Sequence, residues 1–171
     1  MKYVLIFAML FISGFSYSQD EVRDLSSYSS LSVSGGIAVN LKQGDPRAEI
    51  TILKGDLAGL KTEIKGDKLK MYFESSKWGK NTGNNKAKVV LYYKSLEDIS
   101  VSAGASLECN ELLKSSDFGA DASSGARLEL NVEASSVDSD VSSGASIEIS
   151  GETKELDVDV SSGGSFRGAG L

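Results

Sequence analysis

The chain has 171 residues and a net charge of −6, with no histidine and a single cysteine. An acidic chain is a poor partner for nucleic acid or an anionic membrane, and its pI near 4.8 points the same way. The missing histidine removes the commonest general base and metal ligand, and one cysteine cannot form a disulfide within the chain.

Residues 1–18 read as an export signal. Lys2 supplies the positive start, VLIFAMLFISGF (4–15) the apolar core, and Ser16-Tyr17-Ser18 a small-x-small cleavage site. A membrane anchor competes, but the apolar run is shorter than the ~20 residues a span needs. With Lys2 gone the remainder carries −7, and about 150 residues suffice for one domain, 19–171, with a real core. The sequence therefore predicts an exported protein of the periplasm, cell surface or exterior, with no transmembrane span after cleavage.

Residues 19–32 form a polar lead-in whose first strand starts near Ser29. The phrase VSGGIAVNL (33–41) follows, then a turn at Gln43-Gly44-Asp45-Pro46 and a returning strand at AEITIL (48–53). Asp56 to Leu60 fits one helical turn, and TEIKGDKLKMYFE (62–74) a hairpin about Gly66-Asp67. The segment 75–86 is a Gly-, Asn- and Lys-rich loop holding Trp78. That ring is read as folding back over the core, with an exposed stacking platform as the competing reading. KAKVVLYYKSLEDISV (86–101) gives two strands that lead into the repeats.

From Val101 to Gly168 one phrase recurs four times: VSAGASLEC (101–109), ASSGARLEL (122–130), VSSGASIEI (141–149) and VSSGGSFRG (160–168). The copies start 21, 19 and 19 residues apart. The earlier VSGGIAVNL aligns with them, Val33 on Val101, Gly36 on Gly104, Val39 on Leu107 and Leu41 on Cys109. Within a copy, residues alternate over nine positions as in one half-buried strand. Val101, Ala103, Ala105, Leu107 and Cys109 point inward, as do Val141, Ser143, Ala145, Ile147 and Ile149. The central Ser-Gly pair marks a bend or bulge. A second alternating piece precedes each phrase: FGADA (118–122), VDSDV (137–141) and LDVDV (156–160). Polar connectors such as 131–136 and 150–155 lie between. The first rung's two extra residues are placed in 110–117, outside the stacked strands. A fixed period near 20 with strand-like copies predicts an all-β, right-handed β-helix or β-solenoid, with rungs of about 19–21 residues and hairpin insertions near its start.

Stacking at about 4.8 Å per rung would align Asp121, Asp140 and Asp159, then Asp138 with Asp157, and Glu108, Glu129 and Glu148 ending at Arg167. Calcium is the sharp reading of such columns and a solvated acidic face the plain one. The plain one is taken, since no dedicated calcium-loop pattern is present. Cys109 occupies a core position, and Ser123, Ser142 and Ser161 have no base partner. No catalytic, cofactor-binding or metal-binding residue is therefore assigned, and no cofactor is expected.

These residues resemble the head GIN domain, a family labelled auto-transporter adhesin and otherwise a domain of unknown function. The resemblance rests on VSGGIAVNLKQG (33–44), VVLYYKSLEDISVSAGASL (89–107) and the tandem SSGA and SSGG phrases. It implies export from a Bacteroidetes-type bacterium and a β-helix-like solenoid. Lys94 departs from the family's usual proline, and relatives usually continue with further rungs beyond the position of Leu171. The reading is a non-catalytic binding or surface module, with a glycan or surface protein as partner; a polysaccharide-active β-helix enzyme is the alternative. The last rung, VSSGGSFRGAGL (160–171), presents an open strand edge. It is expected either to pair edge to edge with another copy or to mark a shortened chain.

Overall fold

A computed structural model describes residues 19–74 and 84–171. The export segment 1–18 and Trp78 lie outside the described residues. The described residues form one sheet of thirteen strands in two walls around a shared core.

The C-terminal strands show how the repeat builds those walls. They are β9 (Ser106–Lys114), β10 (Asp117–Ala122), β11 (Arg127–Val141), β12 (Ser146–Val160) and β13 (Ser165–Ala169). β11 pairs with β12 in parallel, Leu128 on Ile147 and Val141 on Val160, an offset of one 19-residue copy. The first half of β11 lies on β9 and its second half on β10. Wall A therefore stacks the phrase that follows each Ser-Gly pair, and wall B the phrase that precedes it.

The break between the walls is sharper than a bend. Ala103-Gly104, Ser124-Gly125, Ser143-Gly144 and Ser162-Gly163 each have positive φ at both residues. Backbone bonds close the turns, Ala105 N–H donating to Ser102 O (3.1 Å) and Ala145 N–H to Ser142 O (3.0 Å). Both features define a two-residue turn of type I′. The nine-residue strand expected from alternation is thus two strands, and Ala103 and Ser143 are exposed rather than inward. Alternation survives because the turn holds an even number of residues. Val141 and Ala145 both stay buried, at 1% exposure each.

Two further expectations change. The connectors 131–136 and 150–155 are continuous strand, carrying β11 and β12 from one wall to the other. The extra residues of the first rung sit inside β9. Cys109 faces Leu130 and Leu112 faces Asn131, so Asn110 and Glu111 form a bulge.

The first copy stacks on the second across the intervening insertion. β2 (Ser30–Ser34) pairs Val33 with Val101 of β8 (Asp98–Ser102), and β3 (Ile37–Gln43) pairs Val39 with Leu107. The insertion adds β4 (Arg47–Lys54), a 3₁₀ turn at Leu57–Gly59 capped by Asp56, β5 (Leu60–Lys65), β6 (Lys68–Phe73) and β7 (Lys86–Tyr93). The hairpin about Gly66-Asp67 forms as expected, with Lys65 opposite Lys68. β4 does return, but not alongside β3: β7 inserts between them, parallel to β3 and antiparallel to β4.

A strand missed in the polar lead-in, β1 (Gln19–Asp24), closes wall A at this end. Its Arg23 reaches wall B, donating to Leu60 O (2.8 Å) and Thr62 Oγ1 (3.2 Å) while pairing with Glu21 (2.7 Å). At the other end Leu156 and Val160 are 43% and 46% exposed.

Serine is a poor residue for the first position of a type I′ turn, where the left-handed backbone favours Asn or Gly. Replacing Ser143 by Asn should raise stability by up to about 1 kcal/mol. A urea midpoint that stays put or falls would contradict this assignment of strain.

Candidate functional site

The side chains facing away from the core on wall A form rows across the strands. One runs Thr51, Lys88, Ala38, Ser106, Arg127 through β4, β7, β3, β9 and β11. The next runs Glu49, Val90, Asn40, Glu108, Glu129. Between them the wall carries an open trough of about 530 Å³.

Its floor is made of short side chains, Ala38, Val90 and Ser106, and its rim of long charged ones. Asn40 donates from Nδ2 to Glu108 Oε1 at 2.7 Å, tying β3 to β9 across the trough. Lys88, Arg127 and Glu129 are exposed and make no ion pair among the described residues. The neighbouring row is more engaged. The Arg47 guanidinium lies 3.5 Å over the Tyr92 ring and pairs with Glu49 at 3.2 Å.

The expected glutamate column is present. Glu108, Glu129 and Glu148 occupy successive strands, and Arg167 ends the column with a 3.0 Å pair to Glu148. Glu108 and Glu129 belong to the trough. Sequence parity placed them outward but did not place them opposite Lys88, Thr51 and Glu49. That meeting depends on β7 entering between β3 and β4.

Wall B has a different face. Its outward residues pass from Lys65 and Lys68 through Ser30 to Asp98, then past Gly119 to Asp138 and Asp157. Asp121, Asp140 and Asp159 form the parallel column expected from the repeat. Asp98 is relieved by Ser30 Oγ (3.3 Å) and Lys68 Nζ (4.0 Å). Asp121 makes no ion pair among the described residues. Partial burial raises its pKa above the ordinary 3.8, and the charges of Asp98 and Asp140 push the same way. Among the described residues no group of three or more acidic, Cys or His side chains is arranged to hold a metal ion.

The sign of that shift sets a pH dependence. A carboxyl with a raised folded-state pKa binds its proton more tightly folded than unfolded. Its contribution to stability therefore improves as pH falls through the folded pKa, and its penalty is complete above it. Asp121→Asn should raise the melting temperature at neutral pH and flatten its rise on mild acidification. Added sodium chloride should raise the wild-type value modestly by screening. A rise of many degrees specific to calcium would instead make these columns a cation site.

The Cys109 thiol is buried, and burial pushes its pKa up, the wrong direction for a nucleophile. It lies 3.9 Å from the Tyr93 hydroxyl and 3.4 Å from Glu111 O, at the bulge. No helix among the described residues is long and apolar enough to cross a membrane.

Several solved bacterial structures share this fold. The crystal structure of a "putative adhesin" from Parabacteroides merdae matches with a TM-score of 0.73 and 23% identity, over 84% of this chain and 60% of its own. One from Parabacteroides distasonis matches at 0.70 and 22%, over 84% and 62%. A third, from Bacteroides fragilis, matches at 0.54 and 11%, over 90% and 98%. The chain spans about three fifths of the length of the first two. At these identities the likeness establishes the fold alone. No curated protein matches the chain. The family described as "Putative auto-transporter adhesin, head GIN domain" matches residues 27–171, in agreement with the resemblance of the repeat phrases, and the chain belongs to that family.

Proposed function

We propose that the chain is an exported, non-catalytic binding module of adhesin type, and that the wall A trough is its ligand-contacting surface. The trough carries this reading: a preformed concave surface with exposed, unpaired hydrogen-bonding groups is what a binding module needs. Export is supported by the signal-like residues 1–18 and the family's adhesin description. The scaffold is read as a right-handed β-solenoid, supported by parallel copies paired at the repeat offset.

One observation favours a polysaccharide-active enzyme instead. Glu108 and Glu129 sit side by side on adjacent strands in the trough, and glycosidases use two carboxylates. These two project from the same face, however, whereas that chemistry needs groups flanking the scissile bond. Incubating the protein with a panel of glycans, and measuring retention and product release separately, divides the readings. Binding without released product is expected; product release would overturn the non-catalytic one.

Association of copies at this end of the sheet belongs to the same reading, supported by Leu156 and Val160 in the second half of β12, which are exposed there. Sedimentation of the wild type should then show dimers or larger species as concentration rises, and a protein that stays monomeric at high concentration would sink the idea.

A further inference from the structure

The trough crosses five strands, so hydrogen-bonding groups recur along it about every 4.8 Å for roughly 19 Å. That interval is close to the advance per ring of an extended pyranose chain. A polymer with a matched repeat can present an equivalent group to each strand in turn.

The charges narrow the ligand further. One row carries Lys88 and Arg127, and the other Glu49, Glu108 and Glu129. A polyanion would lie against the three carboxylates, and a polycation against the two cations, with little room to avoid either. An uncharged chain meets neither repulsion. Hydroxyls both donate and accept, so they satisfy carboxylates, guanidinium, ammonium and amide alike. The short floor of Ala38 and Val90 leaves space for a ring and offers its C–H face an apolar contact.

A peptide adding as a strand fits poorly. β7, β3 and β9 are each paired on both sides, so the trough offers no free sheet edge to extend.

We infer that the trough holds a neutral linear oligosaccharide of about four sugar units, lying across the strands. This rests on the binding-module reading above. Asn40 with Glu108, and Arg127 with Glu129, grip successive hydroxyl groups, while Ala38 and Val90 support the rings.

The test is calorimetric titration with neutral gluco-, manno- and N-acetylglucosamine oligosaccharides of increasing length. Affinity for at least one series should rise up to about four units and then level off. It should change little with sodium chloride. Arg127→Ala and Asn40→Ala should each weaken binding about tenfold, through loss of hydrogen bonds to charged or charge-linked groups. Neither should alter melting much, and Asp159→Asn on wall B should leave binding unchanged. Binding that ignores the trough variants would overturn this site and the trough's place in the proposed function, while leaving the non-catalytic binding-module part of that reading intact. Binding confined to anionic glycans, or no neutral series bound at millimolar concentration, would overturn the ligand class. Released product would overturn the parent reading itself.

Discussion

Ile147→Asp is expected to remove a large part of the protein's stability and to lower its melting temperature by many degrees. Ile147 is 1% exposed and lies between Leu128 on one side and Phe166 on the other. A carboxylate there loses the apolar contact and has neither water nor a cation to satisfy it. Such a change costs on the order of 4–5 kcal/mol, against a typical total stability of about 5–15 kcal/mol. Its neighbour provides the control. Glu148 points away from the core and is held only by an exposed pair with Arg167. Glu148→Lys should stay within about 0.5 kcal/mol of wild type, because it loses that pair but relieves the crowding with Glu129. Equal melting shifts for the two variants would refute the inside–outside assignment of the rungs.

Gly151→Ala is expected to be the most damaging of the glycine substitutions in the repeats. Gly151 has φ of +126°, which side-chain-bearing residues rarely adopt, and it is paired with Val132. A Cβ at this position would run into the Val132 carbonyl on the neighbouring strand, backbone that cannot swing aside. Strain and displacement together should cost about 2–3 kcal/mol. Gly144 also has positive φ, +73°, but nothing lies within 4 Å of its would-be Cβ. Gly144→Ala should therefore cost only about 1 kcal/mol. Denaturant midpoints in the reverse order would mean that turn geometry, and not the close approach of β11 and β12, limits this part of the fold.

Much of this architecture was legible because the repeat states its own register. Once Val33 is aligned on Val101 and Leu128 on Ile147, the parallel pairing and buried positions follow from period two. What alternation cannot show is a turn that preserves parity. Ala103 and Ser143 keep the in–out count while leaving the strand, so they read as core and lie on the surface. The bulge at Asn110–Glu111 was hidden similarly, since two extra residues restore the phase of β9. β1 was missed because its apolar content is one exposed valine. Its pairing comes from backbone and from Arg23 reaching Leu60 and Thr62, 37 and 39 residues away.

The trough was the least legible feature. Lys88, Asn40 and Arg127 come from strands far apart in sequence, and no local pattern distinguishes them from other outward polar residues. They converge because β7 stacks on β3 from the insertion side and β9 from the repeat side. The acidic columns were the opposite case. Their residues recur at the repeat period and were visible at once, and on wall B they form an acidic column that needs no partner from the insertion.

Mapping amide chemical shifts while a bound neutral oligosaccharide is titrated into isotope-labelled protein tests the central claim most directly. The perturbed amides should cluster in the wall A segments 38–40, 88–90, 106–108 and 127–129, with wall B segments 117–122 and 136–141 silent. Perturbations centred on those aspartate-bearing segments, or spread along both walls without a focus, would contradict the assignment of the trough as the binding surface.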